Sequence, residues 1–421
     1  MKENVLKIVT QRMLKGSKFS PMREPILPVR NKIGIYLHIP FCKVPCPYCP
    51  YNRYPFREEL KKPYIDAIKK EIDIYKERLD STKISSLYIG GGTPTIRVRE
   101  LVEAVEYLKQ CFDVNEICVE ANPDDLSGES LEALLDSDIK KLSIGVQSFD
   151  DDVLKNIGRL SHEGKTAFDA VKRALNKGFD TINVDMMFAL PGQTFTHLKR
   201  DLETLANLEV PQVTIYPLLL FPYVRMAKDV KAGKTKLPPA KEEKTMYDEI
   251  ITFLTSHNYE PASVWSFSRK GVEKYGSVER EEYIGIGAGA MSDTVLGVYS
   301  NTFAVDEYIN TLNKGVLPIA FGHESSKKES MVKWFNMRLY ELGFRKEDFS
   351  NHFGCTVEET LGSLIRIFRS LKLITIDDDS IKVPKSAFYS IHSITKTFLL
   401  TYIAKICEEG MKTPWPKEFE I

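Results

Sequence analysis

Between about residue 33 and residue 216, apolar positions alternate between two rhythms. Short runs rich in Ile, Val, Leu and Tyr (IGIYLHI, ISSLYIG, EICVEA, KLSIGV, TINVDMMF and QVTIYPL) have the length and β-branched content of buried strands. Between them, stretches such as YIDAIKKEIDIYKERL, ELVEAVEYLKQCF, GKTAFDAVKRALNKG and FTHLKRDLETLANL space their apolar residues three and four apart, which marks one face of a helix. This alternation predicts a parallel sheet, either doubly wound or curled into a full or partial barrel. Both architectures bind ligands at the C-terminal ends of their strands, where the unusual residues of this chain fall.

Past Tyr216 the rhythm changes. LLLFPYVRM leads into the Lys- and Pro-containing AKDVKAGKTKLPPAKEEK, which reads as an exposed connection into a helix at about residues 246–256. The small residues of GIGAGA near residue 287 suggest backbone packed closely against something. From about residue 327 to 383, a helix, a second helix, a third (TVEETLGSLIRIFRSLKLI) and a hairpin (LITIDDDSIKV) predict a small winged-helix-like unit. Its charges are mixed, with no basic stripe, so a structural lid or docking role is expected rather than nucleic-acid binding.

Charge adds little, because 58 Lys and Arg balance 58 Asp and Glu and no net field draws the chain to nucleic acid or to an anionic membrane. No apolar run reaches the length of a signal peptide core or a membrane span, so a cytoplasmic protein is expected. The seven cysteines change the picture more. Cys42, Cys46 and Cys49 crowd into one loop, HIPFCKVPCPYCPYNRY, directly after the first predicted strand, whereas Cys111, Cys118, Cys355 and Cys407 are scattered. In a reducing compartment such clustering points to metal ligation. Three thiolates on a proline-stiffened loop suit a soft metal centre. Structural zinc would require a fourth ligand, and the near candidate, His38, lies on the strand side. A four-iron cluster held by three cysteines keeps one iron open.

Other residues stand at strand ends. Gly91, Gly92 and Thr93 lie in a GGGTP turn whose missing side chains let backbone approach a ligand. Glu120 ends the third predicted strand, Gln147 follows the fourth, Arg159 comes shortly after, and Asp185 is a charge inside the otherwise apolar INVDMMF.

IYLHIPFC followed by C-x2-C, then LYIGGGTPT, VEANPDDL, KLSIGVQSFDDDVLKNIGR, INVDMMFALPGQT and EYIGIGAGAMS, resemble in order the segments of radical S-adenosylmethionine (SAM) enzymes related to oxygen-independent coproporphyrinogen III oxidase. That branch also contains the HemW heme chaperones. The resemblance covers about residues 34–292. It implies an α/β fold, a partial (β/α)6 TIM-like barrel carrying a C-terminal helical, winged-helix-like module. It also implies a [4Fe-4S] cluster on Cys42, Cys46 and Cys49, and SAM cleaved reductively to a 5′-deoxyadenosyl radical. By the same resemblance, Tyr36 meets the sulfonium end of SAM and is catalytic together with the three cysteines, and Tyr48 shields the cluster or packs beside the adenine. Gly91, Gly92 and Thr93 lie against the amino group, Gln147 and Arg159 hold the ribose and carboxylate, and Glu120 and Asp185 make further contacts. Thr214, Tyr216, Ile286 and Ala288 line a neighbouring pocket for substrate or a second SAM, making one or two SAM molecules per chain.

The chain departs from both named functions. The oxidase has a fourth cysteine where Tyr51 stands. The chaperones have a histidine-bearing stretch where residues 270–283 contain none, and a histidine where Met291 stands. CPYCPYN is as close to two-SAM C-methylases, or to enzymes that open heme with methyl transfer, as it is to the oxidase. The resemblance thus implies an oxidoreductase or methyltransferase acting on a tetrapyrrole or similar planar substrate. The alternatives are a HemW-like heme-binding chaperone and a two-SAM methyltransferase acting on a quinone or heteroaromatic. A monomer served by an electron donor such as flavodoxin or ferredoxin is expected. The expected divisions are residues 1–32 as an extension covering one end of the barrel or lying loose, 33–220 as the barrel, 221–320 as a family-specific extension, and 321–421 as the C-terminal module.

Overall fold

The computed structural model describes residues 16–30, 32–79, 82–272 and 282–421. Six parallel strands lie side by side in chain order: β1 (Lys32–Ile39), β2 (Lys83–Gly91), β3 (Ile117–Ala121), β4 (Lys141–Gln147), β5 (Thr181–Phe188) and β6 (Gln212–Pro217). An order without reversal means that every right-handed crossover steps the same way and leaves its helix on the same face. The sheet is therefore singly wound, and it curls to cover its own inner face instead of splitting helices between two faces. Helices Glu58–Arg78, Val98–Cys111, Gly164–Leu175 and Phe195–Asn207 take the predicted positions. The first starts before the predicted residue 64 and carries Pro63 inside it, forgoing one intrahelical N–H there.

A nine-residue helix, Gly128–Asp136, stands between β3 and β4, where no helix is predicted. It is capped by the Ser127 side chain, which accepts from the Ser130 N–H, and it buries Leu131 and Leu134. The connection after residue 224 is also more ordered than its composition suggests. Arg225–Lys231 is helical, and the next helix runs Ala240–Ser256, beginning before the expected 246.

The sheet continues past both ends of the barrel. Beyond β6 comes an antiparallel pair, Ser266–Arg269 and Tyr259–Pro261. Beyond β1, Tyr283–Ile286 pairs in parallel and leads to the meander Met291–Thr294, Gly297–Asn301 and Ile319–Glu324. The N-terminal strand Lys18–Pro21 adds to that edge and is itself covered by Phe419–Glu420 near the other terminus. This part of the N-terminal extension therefore closes a sheet edge, an arrangement that removes an open row of backbone donors. Residues 1–15, and residues 273–281 of the segment before GIGAGA, lie outside the described residues.

The C-terminal module has helices Lys327–Tyr340, Lys346–Phe353 and Val357–Ser370. Strands Gly343–Arg345, Ser380–Lys382 and Thr375–Ile376 form a small sheet in that spatial order. Reciprocal side-chain caps at Ser326 with Glu329 and at Thr356 with Glu359 start the first and third helices. A last helical segment, not foreseen from the sequence, runs Phe388–Phe398, a π-helical turn Leu399–Ile403, and Ala404–Lys412. It returns to the barrel, where Leu399, Leu400, Ile403 and Ala404 pack in one apolar cluster with Cys46, Tyr48 and Cys49. No helix among the described residues is long and apolar enough to cross a membrane.

Candidate functional site

The cysteine loop leaves β1 through the short strand Phe41–Cys42, which pairs with Tyr54–Pro55 and so closes the loop on itself. Within it, the Cys49 N–H donates to the Cys46 carbonyl (3.3 Å) and Arg53 Nη2 donates to the same oxygen (2.7 Å). Cys42 and Cys46 are buried, Cys49 is half-buried, and all three are free thiols. Burial raises the pKa of Cys42, and pushes that of Cys49 up to about 12, so that without metal these two remain protonated. Cationic and polar groups stand ready for the thiolate form. Arg159 Nη1 lies 3.3 Å from Cys46 Sγ, and Thr93 Oγ1 lies 3.5 Å from Cys42 Sγ.

No three His, Cys, Asp or Glu side chains among the described residues converge on a single ion. His38 is no fourth ligand, because both of its ring nitrogens are engaged, Nδ1 with Tyr36 Oη and Nε2 with the Asn52 carbonyl. Three free thiols, two buried and one half-buried, with the guanidinium groups of Arg53 and Arg159 nearby, fit an anionic cluster.

Above the thiols the strand ends converge as the sequence implies. Gly91 has φ +115°, and a Cβ on Gly90 would stand 2.9 Å from the Glu120 carboxyl, so the glycine turn lies directly on that side chain. Glu120 accepts from Tyr88 Oη (2.8 Å) and from the Gly91 N–H (3.2 Å), which aims it at the turn. Gln147 has φ +71°, a strained conformation for a non-glycine residue, placed where the β4–β5 register slips. Its Oε1 accepts from Tyr216 Oη (2.9 Å).

Arg159 reaches in from beyond β4 and donates through Nη2 to Asn122 Oδ1 and to the Gly145 carbonyl, both at 2.7 Å. Burial disfavours its charge, but nearby Tyr48 and Cys46 outweigh that and hold its pKa above the ordinary arginine range. Its Nε is buried with no hydrogen-bond partner among the described residues. Asp185 is held by Ser143 Oγ and Asn183 Nδ2, both at 2.8 Å. Burial raises its pKa to about 6 against the opposing pull of those bonds.

The second group comes from two parts of the sheet. Thr214 and Tyr216 are on β6, with Thr214 Oγ1 donating to Asn183 Oδ1 (2.9 Å). Ile286 and Ala288 belong to the strand and turn beside β1, at the other end of the six-strand run, and both are fully buried. The Ala288 N–H already donates to Tyr64 Oη (2.9 Å) and its carbonyl accepts from Asn52 Nδ2 (2.9 Å).

Sequence reasoning passed over Asn122, which links Arg159 to Thr93 by donating to Thr93 Oγ1 (3.0 Å), and over Tyr88, Ser143 and Asn183. Asn122 had a signal, since it follows Glu120 by two residues in VEANPDDL. The others are ordinary strand residues.

The radical SAM superfamily model matches residues 36–205. The heme chaperone HemW of Bacillus subtilis is 31% identical over 340 residues, covering 79% of this chain and 89% of that protein. HemW of Lactococcus lactis is 31% identical over 379 residues, covering 87% and 97%. The oxygen-independent coproporphyrinogen III oxidase of Helicobacter pylori is 25% identical over 393 residues, covering 87% and 85%. The solved structure of Escherichia coli coproporphyrinogen III oxidase, HemN, superposes with a TM-score of 0.75 at 21% identity, covering 94% of this chain and 93% of that one. The chain belongs to the radical SAM superfamily, in the family of HemW and oxygen-independent coproporphyrinogen III oxidase. That family uses a [4Fe-4S] cluster and SAM. Within it, the two HemW chaperones share more identity with this chain (31%) than the Helicobacter pylori oxidase does (25%).

Proposed function

We propose that this chain cleaves SAM reductively and applies the resulting radical to a tetrapyrrole or similar planar substrate, by oxidative decarboxylation or methyl transfer. The observation that carries this reading is the polar cradle of Glu120, Gln147, Arg159 and Asp185, each already oriented by its own hydrogen bonds beside three free thiols. Cys42, Cys46 and Cys49 would hold the cluster. Arg159, with its orphaned Nε, would take the SAM carboxylate by parallel hydrogen bonds. Gly91, Gly92 and Thr93 would lie against the amino group, and Tyr36 against the sulfonium. When bound, cluster and SAM would together supply a 5′-deoxyadenosyl radical, the donor's electron being consumed as methionine is released, while the protein orients the reactants and keeps water out. A flavodoxin or ferredoxin is the class of donor such a cluster requires.

A second reading, a HemW-like heme carrier that retains the cluster, is favoured by the higher identity to the chaperones. Anaerobic reconstitution followed by mass analysis of SAM products separates the readings. With a tetrapyrrole present, 5′-deoxyadenosine alone supports oxidase chemistry, and S-adenosylhomocysteine supports methyl transfer. Scarcely any 5′-deoxyadenosine with its ligand bound supports the carrier. Equilibrium dialysis giving about two SAM per chain would support a second SAM near Thr214 and Tyr216, and a value of one would remove it.

A further inference from the structure

A buried chain of side chains joins β1, the cysteine loop and the turn at Gly287. His38 is 3% exposed, and its ring lies against Gly91, where a Cβ would stand 2.6 Å from the imidazole Cε1. Its Nδ1 is 2.8 Å from Tyr36 Oη, and its Nε2 is 2.8 Å from the backbone carbonyl of Asn52. Asn52, 5% exposed, donates from Nδ2 to the carbonyls of Ala288 and Phe303, both at 2.9 Å. A Cβ on Gly289 would come within 2.6 Å of that amide nitrogen, so the turn has given up a side chain to let Asn52 in.

These partners leave one assignment of protons. A carbonyl has none to give, so His38 Nε2 carries the N–H. A neutral imidazole has only one N–H, so Nδ1 accepts and the Tyr36 hydroxyl donates to it. Burial keeps the ring neutral by lowering its pKa to about 4, against the opposing pull of the bond to Asn52.

We propose that His38 and Asn52 are positioning residues of the SAM site. His38 draws the Tyr36 proton inward so that the phenol oxygen offers electron density to a sulfonium cation, and Asn52 clamps the cysteine loop in the place that fixes the His38 tautomer. This rests on the reading of Tyr36 as a SAM contact. A proton directed outward would meet the sulfonium as like charge, so an unassisted tyrosine at this position would bind SAM less well.

Two measurements test it. The first needs no cofactor: long-range proton–nitrogen correlation spectra of the 15N-histidine-labelled chain, with His38→Phe, or His38→Gln if the Phe variant does not fold, identifying its resonance among the seven histidines. A neutral Nε2–H tautomer, unchanged between about pH 6 and 8, is expected, and an Nδ1–H tautomer or an imidazolium overturns the proposal. The second uses reconstituted protein. Tyr36→Phe, His38→Phe and Asn52→Asp should retain wild-type iron and each weaken SAM binding about tenfold. The Tyr36→Phe/His38→Phe double variant should be no weaker than either single one, because both act through one hydroxyl. Additive losses, or wild-type affinity in His38→Phe, overturn the positioning role while the SAM reading stands. A wild-type protein that fails to bind SAM overturns that reading, and this inference with it.

Discussion

On one side of the barrel mouth, at the ends of β3 to β5, the side chains Glu120, Gln147, Arg159 and Asp185 are each pinned by a named hydrogen bond. A second group, Met187, Leu218, Phe221, Val224 and Met226, joins Leu399, Leu400 and Ile403 of the C-terminal segment in one apolar cluster that reaches Cys46 and Tyr48. Hydrogen bonds are directional, so the first wall is set before any ligand arrives and suits one small, charged, polyfunctional molecule. Apolar contact is not directional, so the second wall holds the cysteine loop and the C-terminal segment together by packing, without fixing any donor. The polar wall is fixed by bond direction and the apolar wall by packing alone.

The sharpest way to break the comparison is at the loop where the walls meet. Cys42→Ala, Cys46→Ala or Cys49→Ala should each abolish the cluster, read as loss of iron and of the brown chromophore after anaerobic reconstitution. About four irons per chain are expected in the parent protein. A full cluster in all three variants would sink the assignment of the site.

Next come substitutions in the apolar wall. Phe221 is 3% exposed, and Phe221→Ala should lower unfolding free energy by about 3–5 kcal/mol, the usual cost of an aromatic cavity. SAM affinity measured below the unfolding range should stay within about twofold, because no polar group of the cradle moves. Arg159→Ala and Glu120→Ala should show the reverse pattern. Iron content and folding should hold, while SAM affinity falls about ten- to a hundred-fold, equivalent to about 1.5–3 kcal/mol for a lost charge-assisted hydrogen bond. Equal effects of both kinds of substitution on both readouts would mean that the walls do not divide the work.

The same contrast explains what was legible in the sequence. The cradle residues fall on or shortly after consecutive strands between residues 120 and 185, each inside a short motif, so chain order alone lines them up. The apolar wall is assembled from the cysteine loop, the segment after β6 and a helix near the C-terminus, and Leu399, Leu400 and Ile403 read locally like any core helix. Nothing in the pattern marks the π-helical turn that presents them, since such a turn depends on what the helix packs against. The positive φ at Gln147 was likewise invisible, because local propensity would place no glutamine there. The short helix Gly128–Asp136 was missed because nine residues hold too few turns for periodicity to stand out. His38 was noticed only as a candidate metal ligand, because its tautomer depends on the Asn52 carbonyl, fourteen residues away.

The smallest expected effect is a pH dependence at Asp185, and it sharpens the comparison because its two readouts run in opposite directions. Burial raises this carboxyl from its ordinary value to about 6, while hydrogen bonds from Ser143 and Asn183 oppose the shift. In the folded state the group therefore keeps its proton over a range in which the unfolded chain has lost it. Its contribution to stability is full below the unfolded value near 4 and is lost as pH rises toward 6. SAM binding follows the other sign if the ionised carboxylate is the form that accepts from SAM. At pH 5 only about a tenth of Asp185 is ionised, so affinity should be about tenfold lower than at pH 7. General acid unfolding would lower stability and affinity together, which distinguishes it from this titration. Asp185→Asn should flatten the affinity profile between pH 5 and 7 and remove the acid-side gain in stability, measured by SAM titration and by denaturant unfolding of the cofactor-free chain. If wild-type affinity is flat over that range, or the Asn variant keeps the slope, Asp185 belongs to the packing of β4 against β5 and not to the cofactor wall.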